Sequence, residues 1–298
     1  MTIVRSALAR IAGHEGINFV LTNRIPRRWA TRLFGWFSRI ENPVVRDLSV
    51  ATWRLFADLD LSDARTSEFR SLRDVFVRRL KDGARPVHPD PEILVSPCDA
   101  IVGAQGRVEA GQVLQVKGSA YALSDLLGDA DHAARFAGGR YVTLRLTSSM
   151  YHRFHAPQDL CVESVTYIPG DTWNVNPPAL RRVDRLFCRN ERAPIRARLD
   201  RRGYPITLVP VAAILVAGIR LGFLGPGTEL RVGGARVIPC DAALRKGEEM
   251  GWFEHGSTII LLTPEGFALH ESAVEGRMIR AGQPLLRLPR DEDSTALG

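Results

Sequence analysis

The run Ser257-Thr258-Ile259-Ile260-Leu261-Leu262-Thr263 is short, apolar and rich in β-branched residues. Runs of the same texture recur upstream, in Ile93-Leu94-Val95, Val113-Leu114-Gln115-Val116 and Arg140-Tyr141-Val142-Thr143-Leu144-Arg145, with Gly, Pro and Asp turns between them. Such spacing predicts a β-rich, largely antiparallel core. Before Gly83 the apolar period changes to that of helices. The chain therefore reads as α+β, with amphipathic helices in residues 1–82 and a β-rich domain in residues 83–298.

Three helices are predicted in the first part, over residues 25–40, 44–58 and 66–81, the last with Thr66 or Ser67 as cap and Gly83 beyond its end. In the first of them Trp29, Leu33, Trp36, Phe37 and Ile40 repeat at helical spacing among Arg27, Arg28, Arg32 and Arg39. A cationic helix of this kind either packs on its own core with solvated arginines or lies in a membrane interface. Residues 1–50 hold eight arginines against Glu15, Glu41 and Asp47, so five of the chain's seven excess positive charges sit at this end. Dense negative charge, in anionic lipid or nucleic acid, is the natural partner of such a surface.

With 298 residues, 45% of them hydrophobic, the chain can bury a sizeable core. Cys98, Cys161, Cys188 and Cys240 lack the spacing of a disulfide framework or a zinc site, which fits reducing surroundings. The stretch from Ile206 to Ile219 is interrupted by Pro210 and Gly218, so it reads as buried strand. The start, Met1 to Arg5, does not read as a secretory signal, and Asp291 to Gly298 reads as a polar tail.

Three constellations carry chemistry. Tyr151-His152-Arg153-Phe154-His155-Ala156-Pro157 sets two imidazoles three residues apart after a strand-like run. They are either a backbone-bonded structural pair or proton carriers near neutral pH; no third ligand points to a metal. Ser96-Pro97-Cys98-Asp99-Ala100 puts a carboxylate at a strand-to-turn corner, where it either forms the turn or orients an imidazole. In Lys246-Gly247-Glu248-Glu249-Met250-Gly251-Trp252-Phe253-Glu254-His255-Gly256-Ser257-Thr258, a glycine precedes a serine and leaves its carbonyl open to attack by the next hydroxyl. The G-x-S-x-G elbow of α/β-hydrolases is absent here.

In order and separation these runs resemble the phosphatidylserine decarboxylase family. Pro97-Cys98-Asp99-Ala100 is similar to its Pro-x-Asp-Gly run, Tyr151 to Pro157 to its Tyr-His-Arg-x-His-x-Pro run, and Gly256-Ser257-Thr258 to its cleavage run. Lys117-Gly118 through Tyr121, Leu126-Leu127, Val175-Asn176-Pro177, Leu186-Phe187, Asn190-Glu191-Arg192 and Lys246 to Gly251 add to the likeness, which extends upstream through Phe69 to Arg85-Pro86. The chain departs from the pattern at His255, usually leucine, at Ala100, usually glycine, and in the alanines of Val211 to Ala217.

The resemblance implies that Ser257 attacks the Gly256 carbonyl and that elimination of the ester leaves a pyruvoyl group on the new end. Residues 1–256 would form the β chain and residues 257–298, 42 in number, the α chain, the two remaining associated. Asp99, His155 and Ser257 then correspond to the self-cleavage triad, and His152 to the proton carrier of decarboxylation. The pyruvoyl ketone would form a Schiff base with phosphatidylserine, and phosphatidylethanolamine and CO2 would be released. Peripheral attachment to the cytoplasmic face of the inner membrane and a homodimer are also implied. A serine hydrolase using Ser257, His155 and Asp99, and a non-catalytic membrane-surface module, are the competing readings; nothing in the chain matches a nucleic-acid-binding motif.

Overall fold

The computed structural model describes residues 27–116, 118–214, 218–225, 227–254 and 257–290. Of the positions singled out above, the start of the chain, Lys117, Leu215 to Ala217, His255, Gly256 and the polar tail lie outside the described residues.

Three helices come first: α1 (Arg27–Phe37), α2 (Pro43–Phe56) and α3 (Leu72–Phe76). Helix α2 starts where Asn42 accepts hydrogen bonds from the Val44 and Val45 N–H groups at 2.9 and 3.2 Å, with Pro43 in the first turn, where its missing donor costs nothing. Helix α3 is much shorter than the periodicity predicts. Its cap is Ser71, and after Phe76 the chain leaves the helix to pair Leu80 with Ala64, while the Arg153 guanidinium takes the carbonyls of Val77 and Arg78. Long-range pairing thus overrides local helical propensity.

The β-rich part follows with β1 (Ile93–Val95), β2 (Ala100–Arg107), β3 (Gln112–Val116) and β4 (Ser119–Ala122). The short helices α4 (Leu123–Leu127) and α5 (Ala130–Ala134) lead to β5 (Arg140–Leu146), β6 (Arg153–His155) and β7 (Leu160–Tyr167). Helices α6 (Pro177–Arg182) and α7 (Leu186–Arg189) precede β8 (Ile195–Leu199), β9 (Pro205–Ala212) and β10 (Ile219–Leu221). The last strands are β11 (Arg236–Leu244), β12 (Glu249–Phe253), β13 (Ser257–Thr263), β14 (Ala268–Leu269), β15 (Met278–Ile279) and β16 (Pro284–Arg287). The fold is α+β, as the sequence predicts, although four of its seven described helices are short insertions in the β-rich part and not N-terminal amphipathic ones.

Eight strands form one sheet in the order β11-β7-β8-β9-β13-β5-β2-β15, every neighbouring pair antiparallel. All seven residues of β13 are buried, which explains its uninterrupted apolar sequence: a strand covered on both faces has no solvent side to alternate with. Pro210 is tolerated in β9 because the β8 ladder ends at the Ile195–Leu208 pair. A smaller antiparallel sheet, β10-β12-β6, carries the histidine run beside the start of β13. Among the described residues no helix is long and apolar enough to cross a membrane.

His132 on α5 is buried, with Nε2 2.8 Å from the Thr207 hydroxyl of β9. Burial, helped by Arg196, lowers its pKa from 6.5 to about 4. Between those values the unfolded chain binds a proton that the folded chain refuses, so stability is full above the upper value and falls as pH drops through the window. Denaturant unfolding is expected to give a smaller free energy at pH 5 than at pH 7, and His132→Gln to shrink that difference. An undiminished difference in the variant would remove His132 as its cause.

Candidate active site

Ser257 is the first residue of β13, held in register with Leu146 of β5 on one side and Ala212 of β9 on the other. It is fully buried, and its Oγ has no hydrogen-bond partner among the described residues. Leaving a buried hydroxyl unsatisfied costs about 1–3 kcal/mol, so such a group marks a place where stability has been given up.

The two imidazoles lie at the start and end of the β6 segment, and backbone carbonyls fix the tautomer of each. His152 Nδ1 is 2.8 Å from the Met150 carbonyl, and His155 Nδ1 is 2.9 Å from the Gly247 carbonyl. A carbonyl only accepts, so in each neutral ring Nδ1 carries the hydrogen and Nε2 keeps the lone pair. On His155 that lone pair accepts from the Tyr151 hydroxyl, 3.1 Å away, whose own pKa burial raises well above the ordinary phenol value. Burial also lowers the His155 pKa, against the opposing pull of the Gly247 carbonyl and the Glu249 and Asp99 charges. The ring is therefore neutral at pH 7, the state a proton acceptor needs. Gly247 delivers its carbonyl from a backbone with φ of 82°, and a Cβ there would come within 2.5 Å of Val87 Cγ2. Glycine answers both demands.

Asp99 stands just before β2, with its carboxylate in the fork of Arg85 at 2.6–3.1 Å and accepting from the Ala281 N–H at 2.9 Å. Arg85 also binds Asp63, at 3.0 Å. The corner abuts the histidine strand, because the His155 N–H donates to the Pro97 carbonyl at 2.8 Å. Asp99 thus acts on His155 as a nearby charge, while Gly247 orients the ring. Asp99 and His155 are neighbours through Pro97, whereas Ser257 sits at the head of β13 and no side-chain hydrogen bond joins it to either. Among the described residues no three His, Cys, Asp or Glu side chains converge as metal ligands.

A cavity of about 690 Å³ opens beside this region, between the N-terminal helices and the ends of β5 and β9. Phe34, Phe37, Trp53 and Phe76 line its helical wall; Arg145, Leu146 and Ala213 line its sheet wall. Trp53 stacks on Phe76 with centroids 5.4 Å apart, and the Phe76 ring lies 4.0 Å from that of His152, so the helices roof this imidazole.

Sequence reasoning does not find Glu254, two residues before Gly256. Its carboxylate is fully buried and meets Arg73 of α3 at 2.5 Å, Arg39 after α1 at 3.4 Å and Arg220 of β10 at 3.7 Å. Burial would raise its pKa, but the Arg73 hydrogen bonds and the charges of Arg73, Arg220 and Arg39 hold it below the ordinary value. The available signal is an acid directly after the apolar pair Trp252-Phe253, where a charge is affordable only if paired. Glu254→Ala leaves three guanidinium groups facing an apolar gap. We expect it to lower the urea unfolding free energy by about 3 kcal/mol, the lower end for breaking a buried pair, because the arginines are partly exposed. A loss under about 1 kcal/mol would show that the cluster does not hold the helices to the sheet.

A family profile described as phosphatidylserine decarboxylase matches residues 72–287. The phosphatidylserine decarboxylase proenzyme of Brevibacillus brevis is 34% identical over 271 residues, covering 89% of this chain and 95% of that protein. The proenzyme of the same name from Citrobacter koseri is 34% identical over 273 residues, covering 88% and 84% respectively. The profile takes in the strands that carry Asp99, the histidines and Ser257, and the chain belongs to the phosphatidylserine decarboxylase family and is a decarboxylase.

Proposed function

We propose that this chain is a proenzyme that cleaves itself between Gly256 and Ser257 and then converts phosphatidylserine to phosphatidylethanolamine and CO2. The observation that carries the reading is the Ser257 hydroxyl: buried, without a partner among the described residues, fixed at the head of the central strand and adjacent to an apolar cavity. A hydrolase would need that hydroxyl open to substrate, so its full burial favours attack on the chain's own backbone.

In this reading Ser257 Oγ attacks the Gly256 carbonyl and gives its proton to His155 Nε2, which the Tyr151 hydroxyl must first release. Asp99 favours the imidazolium that results, through its charge. The buried head of β13, flanked by Leu146 and Ala212, fits a small uncharged pyruvoyl group, which would be held there by its amide to Thr258. That group would supply a ketone that accepts the substrate's amine and draws electrons as CO2 leaves. His152, against the Phe76 ring, would serve as the proton carrier, its Nε2 taking up a proton and passing it to the substrate carbon, and Phe34, Phe37, Trp53 and Phe76 would exclude water from the acyl side. The two chains would stay together because β13, β15 and β16 pair with strands upstream of the cut.

Intact-mass measurement is expected to find a fragment of residues 257–298 carrying a blocked pyruvoyl end, and Ser257→Ala to remain one 33.0 kDa chain. A single uncut wild-type chain would overturn the proposal.

Residues 1–82 serve in this reading as the membrane-associating part, acting at the cytoplasmic face of the inner membrane, and 83–298 as the catalytic part. Trp29, Leu33 and Trp36 lie on one exposed stripe of α1, 65–73% accessible, while Val44, Leu48 and Phe56 of α2 are likewise exposed. Phe37, in contrast, turns into the cavity. An apolar stripe among arginines suits an anionic bilayer surface. Trp29→Ser with Trp36→Ser is expected to weaken sedimentation with anionic vesicles at least tenfold while self-cleavage proceeds; undiminished binding would move the membrane contact elsewhere.

A further inference from the structure

Arg145 is the cation in the cavity wall that the chemistry above leaves unused. It is the sixth residue of β5, in register with Thr258, one step from the pair formed by Leu146 and Ser257. Several other deeply placed arginines have partners within the fold. Arg85 binds Asp99, Arg153 binds Glu249, Arg231 binds Glu191, and Arg192 is surrounded by the carbonyls of Leu126, Cys188, Asn190 and Asp125. Arg145 has no hydrogen bond or ion pair with a described residue. Burial alone acts on its guanidinium, lowering its pKa with no carboxylate opposing. A half-buried cation kept unpaired beside an apolar wall is costly unless a ligand brings the counter-charge.

Resting on the phospholipid reading above, we propose that Arg145 is the anion anchor of the cavity and binds the phosphodiester of the lipid headgroup, while the acyl chains lie along the Phe34, Phe37, Leu48 and Trp53 wall. The substrate has two anionic groups, and their fates separate them. The carboxylate loses its charge as CO2 departs, so a guanidinium bound to it would stabilise the reactant more than the transition state and slow the reaction. The phosphodiester keeps its charge throughout, and a bidentate Arg contact there fixes the headgroup without that penalty. Thr147, Ser148 and Asn176 line the same cavity and supply neutral polar surface around the anion.

The test uses the full-length Ser257→Ala chain, which binds without turnover, and calorimetric titration with short-chain phosphatidylethanolamine below its micelle concentration. This lipid carries the phosphodiester and no carboxylate. Arg145→Gln is expected to weaken binding about ten- to a hundredfold, the loss of one charge-assisted contact, and Arg145→Lys to restore part of it. Short-chain phosphatidylserine should lose affinity by the same factor. Unchanged affinity for both lipids in Arg145→Gln, or no binding by the parent chain, overturns the anchor. A loss confined to phosphatidylserine overturns the phosphodiester assignment in favour of the carboxylate. If the Ser257 chain binds both lipids through Arg145 but decarboxylates neither, the anchor stands and the proposed reaction falls. Completion of self-cleavage in Arg145→Gln carrying Ser257 checks that the variant folds.

Discussion

Everything around the site depends on the pinning of β13 between β5 and β9. Seven residues of β13 are registered on β5 and six on β9, with every side chain of the strand buried. A residue at the head of such a strand has almost no freedom to turn away, so Ser257 is presented in one orientation. The sheet then organises the remaining groups by adjacency. The end of β5 supplies Arg145 and Leu146 to the cavity, and the run from Met150 to His155 returns beside β12 with the two imidazoles.

The N-terminal helices build one wall of the site. Phe34, Phe37, Trp53 and Phe76 close the cavity from outside, and the Glu254 carboxylate ties Arg39, after α1, and Arg73 of α3 to the end of β12. Helix α2 contains no fully buried residue, so its apolar side is divided between this cavity and the exterior. One helix thus lines the cavity and also faces the exterior.

The strands were legible because fully buried and half-buried segments leave simple patterns, and Ser257 to Thr263 is a clear case. The pairing of Asp99 with Arg85, fourteen positions apart, was not, since nothing in a local pattern says which cation a corner carboxylate will choose. The same holds for Glu254, whose partners come from residues 39, 73 and 220. The third helix is shorter than its periodicity implies because 77–81 has ordinary helical composition and is drawn out only by pairing with residues 63–65 and by Arg153. The histidine spacing gave the pair, but which carbonyl fixes each tautomer depends on the approach of Gly247, a contact across 92 positions.

Under the proposed cut before Ser257, the central place of β13 would also change what dissociation means. The downstream piece supplies a middle strand of the large sheet through β13, one edge through β15, and β14 and β16 of a second sheet. No docking surface separates the pieces, so their affinity for one another and the free energy of folding become one quantity. Unfolding would release two molecules where the uncut chain releases one, and reassembly would be second order in protein. The thermal midpoint of the cut form would then rise with concentration, as for an obligate dimer, while that of the uncut form would not.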